Sequence, residues 1–151
     1  MSWLGVVSLG VLGVCAGMLA MHHQLMRVRA PLDGALDVLE TALRQRLEHI
    51  LMFAASAPDC EGLLALCEQH IDAETDSLLA ALPRLRQAVE PLRPTLANMP
   101  ELEENAAELA TAQAAYHEAI TAYNAFVARQ PWRTAAWLLR LSREVPVDAA
   151  L

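Results

Sequence analysis

From Leu25 onward, apolar residues recur at 25, 28, 32, 36, 39, 43, 47, 50 and 54, a period between 3.5 and 3.6 held over eight turns. That spacing places them along one stripe of a long amphipathic helix, which ends near Pro58. Pro31 and Gly34 lie within it and predict a kink or break. A second pattern, 64, 67, 71, 78, 82, 85, 89 and 92, starts after Asp59, a candidate N-cap. Pro83 predicts a bend in this helix, and Pro91 with Pro94 predicts its end. The third pattern is the most regular: Leu102, Ala106, Leu109, Gln113, Tyr116, Ile120, Tyr123 and Val127 alternate spacings of four and three from Pro100 to about Arg129. A short fourth helix is predicted over Trp132 to Arg143, with Trp132, Ala136 and Leu139 towards one side.

Before these patterns the chain is apolar on every face. Met1 to Met21 contains no ionisable side chain, and 21 helical residues at about 1.5 Å each span about 30 Å, the thickness of a bilayer core. A transmembrane helix is the expectation. A cleaved signal peptide is the rival, but a basic start and a clear small-x-small cleavage site are both lacking. A lipoprotein signal at Cys15 is disfavoured by the Val that precedes it. Gly13 and Gly17, with Ala16 and Ala20, form a small-xxx-small pattern that would permit weak self-association through the anchor.

These elements together predict an all-α protein. An N-terminal transmembrane anchor (1–21) precedes a helical body (22–145) and a C-terminal tail (146–151). Short Pro-containing loops predict that the three long helices form an antiparallel up-down bundle of about 45 Å, closed by the short fourth helix.

Composition sharpens the picture. Of the 151 residues, 55% are hydrophobic but only 5% aromatic, an excess of Leu, Ala and Val that suits helices. All eleven basic residues are arginine and the formal net charge is −7, which argues against a nucleic-acid partner. The arginines are grouped. Seven acidic and no basic residues lie between Arg46 and Arg84, and five acidic and no basic ones between Arg93 and Arg129. Arg27 and Arg29 follow the anchor, so the positive-inside rule predicts a cytoplasmic body and an N-terminus outside. The up-down topology would bring Arg84, Arg86 and Arg93 back to the same end, where five arginines could face the lipid headgroups of the bilayer. Alternatively those arginines pair with Glu101, Glu103, Glu104 and Glu108, which adds little stability.

Candidate chemistry is sparse. Cys60, Cys67, His70 and Glu74 fall along one helical stripe, but their span exceeds what a single tetrahedral ion bridges. Cys60 and Cys67, two turns apart on one helix, are too distant for a disulfide. Glu-x-x-His pairs, phosphate-binding glycine loops and nucleophile motifs are absent from the sequence. No cofactor and no catalytic residue is predicted. Trp132 to Arg143, with two tryptophans and three arginines, fits either a cap on an open bundle end or an interfacial helix.

The repeated doublets Tyr116-His117 and Tyr123-Asn124 carry a family likeness. With Gln130-Pro131 and the following "TAAWLL", they resemble the Tyr-Asn, Tyr-Asn and Phe-Pro series of the LemA family of bacterial membrane proteins. "HHQLMRVR" is similar to the post-anchor stretch of that family, with His22-His23 in place of Tyr-Asn. "RQRLEHILMFA" retains Arg46 and Ile50 of a second element but has Leu51 and Met52 for its Pro and Asn, and "EPLRPTLAN" echoes a third. The resemblance implies a single-pass protein of the bacterial inner membrane with a helical-bundle body, no established enzymatic activity, and association with other membrane or envelope proteins. From the residues alone, both tyrosines fall on the apolar seam, where they pack between helices. His117 and Asn124 fall on its flank, placed to bond to a neighbouring helix or loop. Pro131 stops the third helix.

Overall fold

The computed structural model describes residues 3–57, 60–96, 98–129, 132–138, 141 and 144–149, and every regular element among them is helical. These are α1 (Trp3–Ser56), α2 (Glu61–Ile71), α3 (Thr75–Val89), a single 3₁₀ turn (Glu90–Leu92), α4 (Arg93–Leu96), α5 (Pro100–Val127) and α6 (Trp132–Leu138). The predicted cap Asp59 and the helix stop Pro131 lie outside the described residues.

The apolar segment and the first amphipathic stripe form one helix. α1 runs for 54 residues with Pro31 inside it, so the predicted break does not occur. Proline removes one N–H and leaves the carbonyl four residues earlier without its helical donor. Pro31 is exposed, so water can take that carbonyl and the helix continues. Burial divides the helix instead. From Val7 to Ala20 every side chain is exposed, whereas Leu25, Leu32, Leu39, Leu43, Leu47 and Ile50 are almost fully buried.

The predicted second helix is broken in two. Its apolar pattern jumps from Ile71 to Leu78, and the intervening turn carries Glu74 and Thr75 on what would have been the buried face. With nothing apolar to bury there, the chain leaves the helix after Ile71 and re-enters at Thr75, folding α2 against α3. A consequence is that Cys60, Cys67, His70 and Glu74 do not share one helix. At the other end, α6 is described only to Leu138, and Leu141 and residues 144–149 are non-helical.

The chain divides into two compact units. The first comprises residues 1–34 and 119–145; the second comprises 35–118 and 146–151. In the first, Leu25, Leu32, Ile120, Tyr123, Val127, Ala135 and Ala136 are buried. The core of the second is larger, with Leu39, Leu43, Leu47, Ile50 and Ala54 of α1, Leu63 and Cys67 of α2, Leu78, Leu82, Leu85 and Val89 of α3, and Leu102, Leu109 and Tyr116 of α5. Fully burying one such leucine contributes about 2 kcal/mol.

Candidate functional site

The seam of α5 differs from its hydropathy pattern at two positions. Ala106 is exposed and Gln113 half-buried, while Asn105 and Ala112 are buried. A polar side chain thus occupies a seam position that leaves Ala106 in water. Asn105, 3% exposed, donates from Nδ2 to the Ala42 carbonyl of α1 at 3.4 Å, and its Oδ1 has no partner. Four residues further along α1, Arg46 donates to the Leu102 carbonyl at 3.1 Å.

Tyr116 and Tyr123 are buried at 4% and 1% exposure. The Tyr116 ring lies 6.3 Å from that of His117, and the Tyr123 hydroxyl is buried without a hydrogen-bond partner. Burial pushes the Tyr123 pKa above its ordinary value. The residues following each tyrosine engage the segment after α6. In the first unit, Asn124 Nδ2 donates to the Glu144 carbonyl at 3.0 Å while the Glu144 N–H donates to Asn124 Oδ1 at 3.2 Å. One side-chain amide thereby satisfies both backbone groups of Glu144, as a neighbouring strand would. In the second unit, His117 Nε2 lies 2.9 Å from the Val147 carbonyl, and Arg86 contacts both the carbonyl and the carboxylate of Asp148 at 3.2 and 2.9 Å. Ala149 is fully buried.

The five arginines assigned to the membrane end fall in both units, Arg27 and Arg29 in the first and Arg84, Arg86 and Arg93 in the second. Arg29 bridges Asp33 and Glu144 at 3.3 and 3.4 Å, and Arg93 pairs with Glu90 at 3.6 Å. Arg27 and Arg84 are exposed. Glu103 lines a hollow together with Arg46 and Arg93. Burial, then the nearby charge of Arg93, holds the Arg46 pKa below its ordinary value. Gly13 and Gly17 lie in the exposed part of α1, with open space where a Cβ would stand.

A polar node escaped the sequence reading. Arg44 donates to the Ile71 carbonyl and, at 2.7 Å, to that of Ala73, and it pairs with Glu40 at 2.6 Å. Glu40 in turn accepts a hydrogen bond from Thr75, and this bond, followed by that from Arg44, holds its carboxyl below the ordinary carboxylate range. The node closes the α2–α3 corner: a guanidinium on α1 takes the carbonyl of Ile71 at the end of α2 and that of Ala73 in the turn, and a carboxylate one turn away takes the first hydroxyl of α3. A Glu-x-x-x-Arg spacing in the sequence signals only a surface pair, so its long-range partners were not legible.

The second unit also carries an open groove of about 680 Å³ between α1 and α5, walled by Val38, Thr41, Ala42, Ala107, Thr111, Ala112 and Ala115, with Asp37 and Glu108 on its lining. Small side chains on both helices make it apolar and shallow. Among the described residues no group of three His, Cys, Asp or Glu side chains could hold a metal ion. Cys60 and Cys67 are free and buried, and burial pushes the Cys67 thiol up to about 11. No protein-family model, curated protein or solved structure matches the chain.

Proposed function

We propose that this protein is a non-enzymatic, membrane-anchored helical protein of the LemA type, which scaffolds other proteins at the bacterial inner membrane. The observation that carries the reading is the bare apolar stretch of α1. Val7, Leu9, Val11, Leu12, Val14, Met18 and Leu19 are 45–70% exposed, an apolar surface with no covering among the described residues and no charge in its sequence. A bilayer is the solvent such a surface fits. The helix is long and apolar enough to cross one.

In this reading α1 and α5 run antiparallel. Supporting it, partners pair in reverse order, Ala42 with Asn105 and Arg46 with Leu102. The groove of small side chains along these two helices supplies a face on which a helix of another protein can approach closely. The alternative reading, an envelope sensor that binds lipid or a small ligand, draws on the same groove.

In this reading the body lies in the cytoplasm, which the arginines that follow the anchor support. Cys60 and Cys67 are too buried to report sidedness, but Ser77 on α3 is exposed and accepts a cysteine without a change of size. We expect Ser77→Cys to be labelled by a membrane-impermeant maleimide after cell lysis and not in intact cells. Labelling in intact cells would put the body on the outside. Recovery of the chain in the soluble fraction would remove the anchor.

A further inference from the structure

Charge is partitioned between the two units far more sharply than along the sequence. The anchor-bearing unit, 1–34 with 119–145, holds six of the arginines and two carboxylates, Asp33 and Glu144, a formal charge of +4. The remaining five arginines stand against sixteen carboxylates in the other unit, a formal charge of −11. Both carboxylates of the first unit are engaged by the same residue, Arg29. No acidic residue occurs from Ala119 to Arg143.

Within this basic unit sits the most exposed large hydrophobic side chain of the described residues. Trp137 of α6 is 81% exposed, although its neighbours Ala135 and Ala136 are buried. α6 therefore packs by its alanine face and turns its tryptophan outward. Phe126 stacks on Trp132 at 4.8 Å between ring centroids, fixing the start of α6 on the end of α5. Arg129 and Arg133 are exposed on the same short stretch. The unit's packed part begins close to the anchor: Leu25, one helical turn past Met21, is 1% exposed, whereas residues 7–20 are bare. A turn is about 5.4 Å, so the body starts at headgroup depth.

From this juxtaposition we infer that α6 is a second membrane contact, laid in the headgroup layer of the bilayer that α1 crosses, with Trp137 inserted at the interface and Arg129 and Arg133 on anionic phospholipid headgroups. The inference rests on the anchored reading proposed above. Tryptophan favours this zone because its ring is apolar and its N–H finds water or headgroup oxygens. Basic residues near an anionic surface are attracted to it. The charge partition selects lipid over protein as the occupant, since the positive unit is the one that carries the apolar span.

The test uses the full chain reconstituted in phosphatidylcholine–phosphatidylglycerol vesicles containing brominated acyl chains, which quench tryptophan on contact. A W3F/W132F chain reports Trp137 alone, and a W132F/W137F chain reports Trp3 alone, at the start of α1. We expect quenching of both, with Trp137 blue-shifted and quenched more by bromines near the glycerol backbone than by deep ones. Arg129→Glu with Arg133→Glu should reduce the Trp137 quenching and leave that of Trp3 unchanged. Quenched Trp3 with unquenched Trp137 would overturn this inference while leaving the anchor standing. Loss of both signals would overturn the anchored reading and this one with it. Helicity by circular dichroism verifies that each chain is folded. Should W132F lose it, the decrease in quenching on W137F in the three-tryptophan chain gives the same readout.

Discussion

Two tyrosine doublets that look alike in sequence make unequal demands on their residues. The Tyr123 hydroxyl is buried without a partner, so its oxygen is a liability while its ring fills the core. Asn124, by contrast, satisfies both the backbone N–H and the C=O of Glu144. Tyr123→Phe should therefore change stability by no more than about 1 kcal/mol and in the stabilising direction, because it removes an unsatisfied group. Asn124→Ala should cost about 1–3 kcal/mol, because it strands two. Urea unfolding of the detergent-solubilised chain measures both. A large loss for Tyr123→Phe would mean that its hydroxyl is bonded. That the tyrosines are buried was legible from the heptad spacing alone. What His117 and Asn124 bind was not, because the segment they hold, Glu144 to Asp148, has no periodicity and reads in sequence as a tail.

At the scale of elements, the α2–α3 corner shows what periodicity omits. The sequence carried α2 and α3 as one helix because its apolar stripe resumes in phase at Leu78. The break comes from a missing apolar residue at the intervening turn and from a clamp supplied by another helix. Glu40 is the titratable part of that clamp, and its depressed pKa means that the folded state holds the carboxylate more tightly than the unfolded chain does. Its contribution is complete above the unfolded carboxylate value of about 4.3 and is lost as pH falls through the lower, folded value. Thermal stability should fall as pH drops from about 5 towards 3, and Glu40→Gln should flatten part of that fall. Arg44→Met should destabilise at neutral pH by about 1–3 kcal/mol, since it leaves the carbonyls of Ile71 and Ala73 without their donor. An unchanged melting profile in both variants would show that the corner is held by packing alone. Pro31 is the complementary case: a residue that predicts a break on local grounds is tolerated, because the carbonyl it orphans can be taken by water.

Across the whole molecule, helix class and the bare N-terminal segment followed from composition and hydropathy, both of which are sums over many residues. The division into units did not, because each unit joins stretches that are not contiguous in sequence, 1–34 with 119–145 and 35–118 with 146–151. That division changes the meaning of the overall charge. The chain as a whole is neutral near pH 5.1, yet neither unit is neutral there. Arginine does not titrate near that pH, so the first unit keeps its positive charge. The other unit must balance it with an equal negative charge. An isoelectric chain of this kind carries two units of opposite charge, and one copy's positive unit attracts another's negative unit. Self-association in detergent should peak near pH 5 by light scattering and should dissolve when salt shortens the screening length to about 3 Å at 1 M. Ordinary isoelectric precipitation through apolar contact would instead persist, or grow, in the same salt.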